Sequence, residues 1–567
     1  MKNIDQLADE LGLKNDEYTP YGNHIGKLDF KNILKRHKHS SQGKYIDVTA
    51  ITPTPLGEGK TTTTIGLIQA LGKLNKKVTG AIRQPSSGPT FNIKGSAGGG
   101  GLAHCVPLSE FSLGLTGDFD AITNAHNLGM VALTSRLQHE FNYSDKALHL
   151  KHLKRLDIDP RNITVKWAID LCAQSLREII IGFGDKTDGF MLQSGFQISV
   201  SSELMAILSI ATSLKDMREG IAKMIVAYSK DSTPITTKDL EVDGAMAALL
   251  SKAIAPNLLQ TLEGQPLLVH CGPFANIALG QSSIIADQVG LKLADYHVTE
   301  SGFGADIGFE KFWNIKCRIS KLIPDCIVLV VTIRALKMHG GGPPVIPGKP
   351  LADEYTHKNL SLLEQGMENL WAHIDIIEQS GLSTVVCINR FNTDHAEEIN
   401  YVEHALENSD KSVAVSKHFE QGGDGAIRLA EAVIDACNKE QNFKFLYPES
   451  ISVEEKIKII ATNVYGAKEI SYSPAANEKL KHINQDKELK NFQVCMAKTP
   501  LSLSDNPIKK GRPENWRLFI RDILIYAGAG LLVPVTGSLK LMPGTASDPA
   551  FRHIDIDTES GDIRGLF

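Results

Sequence analysis

Residues 52–64 read Thr-Pro-Thr-Pro-Leu-Gly-Glu-Gly-Lys-Thr-Thr-Thr-Thr, and the architecture of the chain follows from this loop. An apolar run with strand character precedes it at residues 45–51, and apolar residues at helical spacing follow it. A Gly-Lys-Thr loop between a strand and a helix is the arrangement in which backbone N–H groups wrap phosphates. We therefore predict a loop that binds ATP or GTP. The alternative is a helix that simply begins at a threonine-rich cap.

Each residue type in this loop suits a phosphate ligand. Gly57 and Gly59 let backbone N–H groups face an anion because no Cβ is in the way. Lys60 can reach the outer phosphates, and the Thr61 hydroxyl can complete a Mg²⁺ shell. Thr54 stands where the usual pattern, G-x-x-x-x-G-K-[ST], has glycine. The predicted nucleotide-contacting residues are Thr54, Pro55, Leu56, Gly57, Glu58, Gly59, Lys60 and Thr61.

The composition narrows the class of protein. The chain has 567 residues, of which 42% are apolar and 22% charged, as in a globular enzyme. A net charge of −5 argues against general nucleic-acid binding. The eight cysteines have no C-x-x-C spacing, so neither zinc nor a disulfide framework is indicated. No apolar run reaches 18 residues and no signal-peptide core is visible, so we expect no membrane partner and a cytoplasmic location.

Short apolar runs alternate with helical stretches along the chain. Strand-like runs occupy residues 77–82, 266–271, 292–298, 327–331, 384–388 and 413–415, and helical patterns occupy residues 202–214 and 360–379. This alternation predicts an α/β fold, a P-loop NTPase-like mostly parallel sheet with helices on both faces, plus smaller additional α/β domains. The predicted domains are residues 1–350, 351–440 and 441–567. Function should lie in loops after the strands.

Further motifs support a family assignment. They are residues 83–89 (Arg-Gln-Pro-Ser-Ser-Gly-Pro), 115–122 (Leu-Thr-Gly-Asp-Phe-Asp-Ala-Ile), 272–277, 302–308 (Gly-Phe-Gly-Ala-Asp-Ile-Gly), 334–341, 496–499 and the closing 565–567. Together with the loop, they make the chain resemble the formate–tetrahydrofolate ligase family over essentially its whole length. The resemblance implies an enzyme that uses ATP, Mg²⁺, formate and tetrahydrofolate, with a monovalent cation and a homotetrameric assembly as further expectations.

The same resemblance implies roles for individual residues. In that family, formate attacks the γ-phosphate of ATP, and the N10 amine of tetrahydrofolate attacks the resulting formyl phosphate. Lys60 would hold the phosphates, and the planar fork of Arg83 would clamp the transferring group. Asp118 would orient the amine or a Mg²⁺-bound water. The alternatives are a salt-bridged strand end for Arg83 and a turn-forming residue for Asp118.

Folate is expected to bind between aromatic side chains because its pteridine is flat and apolar. Phe303 and Phe391 match two positions that sandwich folate in the family. Phe419 stands where a stacking tryptophan is usual. The purine of ATP is expected near the loops after the last strands, and Val415, which ends one of them, is a further predicted cofactor contact.

This chain departs from the family pattern at several of these positions. Gln84, a predicted contact residue, replaces a glutamate, so it keeps the shape but cannot accept a proton. His104 replaces a glutamine, and Asp120 replaces a histidine. Three functions therefore stay open: formate–tetrahydrofolate ligation, the same acyl-phosphate chemistry on a different carboxylate or amine, and ATP binding without catalysis.

Overall fold

The computed structural model describes residues 1–94, 97–273, 277, 279–345, 350–537 and 540–566. Residues 274–276 of one family motif and Phe567 of the closing motif lie outside this set. Every residue predicted to touch a substrate or metal lies within it.

The strands, numbered along the chain, are β1 Tyr18–Tyr21, β2 Ile25–Leu28, β3 Lys44–Ala50, β4 Val78–Ile82, β5 Gly99–Gly100, β6 Ala103–Val106, β7 Ile158–Ile163, β8 Trp167–Ile169, β9 Ile179–Ile181, β10 Leu192–Ser194, β11 Phe196–Ile198, β12 Ile225–Ser229, β13 Pro234–Thr236, β14 Asn257–Thr261, β15 Pro266–Val269, β16 Tyr296–Glu300, β17 Cys326–Val331, β18 Thr384–Asn389, β19 Ser412–Ser416, β20 Glu469–Tyr472, β21 Gln493–Val494, β22 Arg517–Ile520, β23 Asp522–Tyr526, β24 Leu531–Val535, β25 Asp555–Ile556 and β26 Ile563–Arg564.

The α-helices are α1 Ile4–Leu11, α2 Phe30–Arg36, α3 Lys60–Lys73, α4 Ser87–Pro89, α5 Leu108–Ser112, α6 Asp118–Asn142, α7 Asp145–Leu150, α8 Glu203–Ile210, α9 Leu214–Lys223, α10 Asp243–Leu249, α11 Ile284–Leu293, α12 Cys317–Ser320, α13 Ile333–His339, α14 Asp353–Thr356, α15 Leu360–Glu378, α16 Ala396–Glu407, α17 His418–Gln421, α18 Ile427–Cys437, α19 Val453–Ile459 and α20 Pro474–Gln485. Single turns of 3₁₀ or π geometry join several of them.

A large central sheet organises the molecule. Its order is β1-β2-β14-β15-β4-β16-β3-β17-β18-β19, and β6 joins it through β14. Every pair from β15 to β19 is parallel, whereas β1, β2, β14 and β6 pair antiparallel. The mixed α/β architecture with a mostly parallel sheet is thus confirmed.

Helices cover both faces of this sheet. In β17, Val328 and Val330 pack into the core that contains residues of α3 and α18. Ile327 and Leu329 point the other way, into the core that contains α15. Both sets are buried, which is why the strand reads as a continuous apolar run rather than an alternating one.

Two of the predicted elements differ from the structure. The run at 292–298 was expected to be a strand, but Leu293 still belongs to α11 and the strand begins at Tyr296. A buried helix end and a buried strand have the same apolar character, so the pattern did not separate them. The helical pattern at 202–214 is broken between α8 and α9, where Ser213 caps the second helix by accepting a hydrogen bond from the Asp216 N–H.

The segments predicted as the second and third domains differ in whether their strands join the central sheet. Strands β18 and β19, within residues 351–440, are neighbours of β17 in the central sheet. Residues after 440 form three small sheets: β20 with β22, β21 with β24 and β23, and β25 with β26. Among the described residues, no helix has the length and apolar character needed to cross a bilayer.

Candidate active-site cleft

The phosphate loop connects β3 to α3 in a defined conformation. Gly57 and Gly59 adopt φ values of 75° and 74°, which a residue with a Cβ takes up only with strain. The buried Glu58 carboxylate accepts hydrogen bonds from the Thr54 N–H (2.6 Å) and hydroxyl (3.0 Å). The Asn389 amide, at the end of β18, donates to the Glu58 carbonyl at 3.0 Å. The loop is therefore shaped before any ligand arrives.

Lys60 is the first residue of α3. Among the described residues, nothing forms a hydrogen bond or an ion pair with its ammonium group. Burial lowers the pKa of Lys60, and the nearby carboxylates of Glu58 and Glu300 act in the opposite direction. A half-buried, unpaired ammonium at a helix N-terminus is suited to receive an anion.

Arg83 and Thr61 face each other across a cavity of about 100 Å³. Thr61 donates its hydroxyl to a Glu300 carboxylate oxygen at 2.7 Å, and Arg83 Nε lies 3.8 Å from the other oxygen. That separation exceeds a hydrogen bond, and Arg83 Nε has no hydrogen-bond partner among the described residues. The strand-end ion pair considered for Arg83 therefore exists, but it leaves the guanidinium free to bind a ligand.

Gln84 lines the same cavity and also contains an unused polar atom. Its side-chain N–H contacts the Gly114 carbonyl at 3.4 Å, and its backbone N–H donates to the Cys271 carbonyl at 2.7 Å. Its buried Oε1 has no donor among the described residues. An unsatisfied buried acceptor is unfavourable, so this atom is placed to receive an N–H from a ligand.

Asp118 is held in a buried polar network. Its carboxylate accepts hydrogen bonds from Lys27 at 2.6 and 2.7 Å and from Asn257 at 2.8 Å. Burial lowers the pKa of Lys27, although Asp118 opposes this. Asp118 is not among the described residues that line the cavity beside Arg83. Asp118 is the first residue of α6, and it is buried and hydrogen-bonded. It is therefore neither part of an exposed turn nor a free carboxylate.

The predicted aromatic residues occupy different environments. Phe303 is half-buried with φ of 61°, an uncommon backbone conformation for a bulky residue that tends to mark functional sites. One face of Phe391 is covered by the Arg334 guanidinium, 4.4 Å from the ring centre. Phe419 is 52% exposed, and its ring packs against the turn at Gly100.

Val415 lies in a second, larger cavity of about 500 Å³ at the end of β19. Arg390, Lys417 and Asp424 also line it. Asn389 links the two regions, because its side chain contacts the phosphate loop while Arg390, the next residue, lines the larger cavity. The two departures at His104 and Asp120 lie in neither lining set.

Three neutral histidines form hydrogen bonds with residues at the two ends of the phosphate loop. His339 donates from Nε2 to the Thr52 carbonyl at 2.8 Å, because its Nδ1 accepts the Gly511 N–H. His373 contacts the Thr52 hydroxyl at 3.0 Å, and His418 contacts Thr63 in α3 at 3.2 Å. Burial lowers the pKa of each of these three to about 4.

These histidines predict a specific acid sensitivity. Between pH 6.5 and 4 the unfolded chain protonates them and the folded chain does not, so each contributes stability that is lost as the pH falls. The expected loss is roughly 2 kcal/mol per histidine between pH 7 and pH 5. Urea unfolding of His418→Gln should show a correspondingly smaller acid loss than wild type.

The exposed His404 supplies the control, because His404→Gln should keep the wild-type pH dependence. Asp47 and Glu203, whose pKa burial raises to about 8, change stability in the opposite direction over this range. The comparison must therefore be between variant and wild type. An identical pH slope for His418→Gln and wild type would contradict the prediction.

Three residues near the cleft were not predicted from the sequence. Glu300 is the last residue of the buried strand β16, a position typical of site residues, but nothing in its local pattern separates it from a structural carboxylate. Lys27 lies 91 positions before its partner Asp118. Arg334 belongs to a family motif, and only the fold shows that it stacks on Phe391.

Comparisons with known proteins agree over the full chain. A family model described as formate–tetrahydrofolate ligase matches residues 1–567. A protein of that name from Dehalococcoides mccartyi strain CBDB1 is 63% identical over 100% of this chain and 95% of its own length. Proteins of the same name from Thermodesulfovibrio yellowstonii (58%; 100% of this chain, 97% of the relative) and Desulfotalea psychrophila (59%; 98% and 100%) are similarly alike.

Proposed function

Because this chain belongs to the formate–tetrahydrofolate ligase family, we propose that the family's reaction takes place in the cleft at the carboxyl ends of its parallel strands. The protein is an enzyme that joins formate to tetrahydrofolate at the expense of ATP. The observation that carries the location is that Thr61, Arg83 and Glu300 line one small cavity, and that Lys60, whose pKa is affected by Glu300 and Arg83, lies near them. Arg83 follows β4 and Glu300 ends β16, whereas Lys60 and Thr61 begin α3, which the phosphate loop connects to β3.

We propose a P-loop NTPase-like mode of nucleotide binding. Residues 54–61 would wrap the phosphates, and Lys60 would neutralise their outer oxygens. The Thr61 hydroxyl and the Glu300 carboxylate are oxygen donors of the kind Mg²⁺ prefers, so these residues fit a magnesium ion. When bound, Mg²⁺ supplies charge neutralisation between the phosphates. Glu300 also holds the Thr61 hydroxyl in one orientation.

Arg83 is proposed to act on the transferring group. A formate oxygen attacks the γ-phosphorus, the bond to ADP breaks, and formyl phosphate forms. Both reactants are anions, so their approach needs fixed cations and N–H donors. The Arg83 fork, with Nε unpaired, can bind the phosphoryl and formyl oxygens together. The N10 amine then attacks the formyl carbon, phosphate leaves, and the amine loses a proton.

Folate recognition is proposed to involve Gln84, Phe303, Phe391 and Phe419. The orphaned Gln84 Oε1 can accept an N–H from the folate. Arg334 covers one face of Phe391, which leaves the other face for a flat ring. Asp118, fixed by Lys27, is proposed to act through charge rather than by direct contact. The cavity of about 500 Å³ around Val415 is large enough for the base and ribose of ATP.

One assay tests the function against its alternatives. Purified protein receives ATP, Mg²⁺ and formate, with and without tetrahydrofolate, and both ADP and 10-formyltetrahydrofolate are followed. Folate-dependent formation of both products in equal amounts is expected. ADP release only with another acid and amine would identify a different acceptor. Saturable ATP binding without turnover would show that catalysis has been lost.

Gln84→Glu is expected to raise folate-dependent turnover about 10-fold, because a charged acceptor adds roughly 1.5 kcal/mol to a hydrogen bond with a folate amine. Initial rates at saturating ATP and formate provide the measurement. Gln84→Ala, which removes the acceptor, should lower the rate. A Gln84→Glu rate equal to wild type would mean that this acceptor does not bond to the reacting amine.

Glu300→Gln is expected to raise the Mg²⁺ concentration for half-maximal nucleotide affinity about 10-fold, because one carboxylate charge near the metal is lost. Binding of a fluorescent ATP analogue, titrated with Mg²⁺, measures this without turnover. Affinity in the absence of Mg²⁺ should not fall. Glu469→Gln, at an exposed glutamate that pairs with Arg517 in the C-terminal region, is the matched control. An unchanged Mg²⁺ dependence would exclude Glu300 from the metal site.

Further features of the family are proposed for this chain. They are activation by a monovalent cation, assembly as a homotetramer and a cytoplasmic location. We also propose that residues 1–350 carry the nucleotide site, that residues 351–440 complete the cleft through β18 and β19, and that residues 441–567 form a small C-terminal unit.

A further inference from the structure

The family motif at residues 496–499 starts from a fixed backbone in the small sheet of β21, β24 and β23. The Ala497 N–H donates to the Pro534 carbonyl at 2.9 Å, and the Ala497 carbonyl accepts the Thr536 N–H at 3.0 Å. The next residue, Lys498, has a side chain with 0% exposure. A buried lysine on an anchored backbone has little freedom, so what its ammonium contacts is held in place as well.

The Lys498 ammonium joins this segment to a loop of the central sheet. Its Nζ lies 2.7 Å from an oxygen of the Asp306 carboxylate, which is also fully buried. It donates to the carbonyls of Thr499 at 3.1 Å and Ser502 at 2.5 Å as well. Three acceptors thus match the three N–H groups of the ammonium. Because each charge would be unpaired without the other, separating Lys498 from Asp306 is strongly unfavourable.

Asp306 belongs to residues 302–308, here called the glycine loop, which follow β16. The backbone of this loop approaches the Arg83 guanidinium, since a Cβ on Gly302 would lie 3.3 Å from Arg83 Nη1. The Gly302 N–H donates to the Gly280 carbonyl at 2.8 Å. The glycine loop therefore borders the proposed place of phosphoryl transfer.

The Asp306 carboxylate lies against the turn that carries Phe303. A Cβ on Gly304, the next residue, would lie 2.6 Å from Asp306 Oδ1 and 3.0 Å from His373 Cε1. Gly304 is thus enclosed between these two side chains. Phe303 itself has a φ of 61°, which a bulky residue adopts only when its surroundings impose it. Fixing the carboxylate of Asp306 therefore fixes the backbone beside Phe303.

We propose that Lys498 is a positioning residue for folate, which holds the glycine loop through Asp306 in the conformation that presents Phe303 to the folate ring. This inference rests on the proposed function, because it takes Phe303 as a folate contact. Lys498 acts through Asp306 rather than on the substrate, since its three N–H groups are already used.

The phosphate loop is attached by contacts that do not involve Lys498. Asn369 donates to the Thr52 hydroxyl at 3.0 Å and to the Gly511 carbonyl at 2.8 Å, and it accepts the Thr52 N–H at 3.2 Å. Loss of the Lys498 pair should therefore weaken folate binding and leave ATP binding intact. A purely structural role would instead disturb both.

Hydrogen exchange tests the position of the loop without any substrate. Lys498→Met/Asp306→Asn removes both charges, because a single change would leave the other charge buried and unpaired. Amides of the glycine loop should exchange at least about 10-fold faster than in wild type, whereas β3 should keep its rate. Lys456→Met is the matched control, because Lys456 is a buried lysine that donates to the Phe492 carbonyl at 3.3 Å. It should leave exchange in the glycine loop unchanged.

Steady-state kinetics of the same variants test the effect on folate. The double variant should raise the KM for tetrahydrofolate at least about 10-fold and keep the KM for ATP within about twofold, because small displacements of a contact residue have large effects on its own ligand. Lys456→Met should keep both values. An unchanged KM for tetrahydrofolate, an equal rise in both KM values, or unchanged exchange in the glycine loop would each overturn the proposal.

Thermal unfolding confirms that the variants are folded. Should the double variant fail to fold, Asp306→Asn alone serves, because an amide keeps the shape and weakens the pair. Its KM for tetrahydrofolate must then rise more than its KM for ATP. A wild type that forms no 10-formyltetrahydrofolate would refute the proposed function, whereas the exchange rates would still decide whether Lys498 holds the glycine loop.

Discussion

Lys60→Ala is expected to lower the rate of 10-formyltetrahydrofolate formation at least about 10³-fold, because the loss of a positioned charge beside a transferring phosphoryl group has effects of this size. Within the described part of the chain, Lys60 has no hydrogen-bond or ion-pair partner, and residues 52–64 contain no other lysine or arginine to substitute for it. Its half-buried ammonium is unfavourable in the free protein, as its lowered pKa shows. The variant should therefore unfold at the wild-type temperature or slightly above it while being inactive.

Steady-state rates of Lys60→Ala and wild type test this prediction, and thermal unfolding is measured on the same samples. Lys479→Ala is the matched control because Lys479 is a partly exposed lysine that pairs with Asp522 at 2.7 Å in the C-terminal region, away from the phosphate loop. It should retain activity within about twofold, as exposed ion pairs contribute little. Near-normal activity of Lys60→Ala would remove the phosphate loop from the mechanism. An inactive but unfolded variant is distinguished from the expected result by its melting curve.

Arg83→Lys is expected to lower kcat at least about 10²-fold, with a smaller change in the KM for ATP. Lysine keeps the positive charge but lacks the planar fork and the Nε that faces Glu300, so it cannot hold two oxygens in a fixed geometry. The loss falls on kcat because the fork is most useful when charge is spread over the transferring group.

Comparing the change in kcat with the change in the KM for ATP distinguishes this role from a structural one. If Arg83 served only to pair with Glu300 at the strand end, Arg83→Lys would retain kcat, since the ion pair would persist. Arg512→Lys, at an exposed arginine that pairs with Asp375 at 2.7 Å, controls for the substitution itself. It should behave as wild type. A fall in kcat no larger for Arg83→Lys than for Arg512→Lys would exclude the clamp.

The sequence predicted the central parallel strands well because they are buried on both faces. The predicted strand at 384–388 is observed as Thr384–Asn389, and the one at 413–415 as Ser412–Ser416. The helix predicted at 360–379 is observed as Leu360–Glu378. In such elements, local composition and global fold agree. The order of strands was beyond reach, because β3 pairs with β16 and β17, more than 240 residues later.

The same contrast between local patterns and long-range pairing applies to the residues of the candidate site. Lys60 and Thr61 belong to a contiguous motif, so a pattern of neighbours reveals them. Glu300 is hydrogen-bonded to a residue 239 positions away, and Lys27 pairs with Asp118 across 91 positions. No periodicity records such pairs, since only the assembled sheet brings them together. The catalytic role of Asp118 stays a prediction from the family resemblance, and its buried partner Lys27 could not be read from the chain.

The position of β3 has a consequence for how the protein is made. This strand leaves the ribosome early, yet it sits between β16 and β17, and the sheet is complete only when β19 has been synthesised. At about 5–20 residues per second, a nascent chain would wait tens of seconds with an apolar strand lacking its neighbours. The phosphate loop, anchored on that strand, cannot mature sooner. We therefore expect this topology to refold slowly, because its central strands pair across long sequence separations.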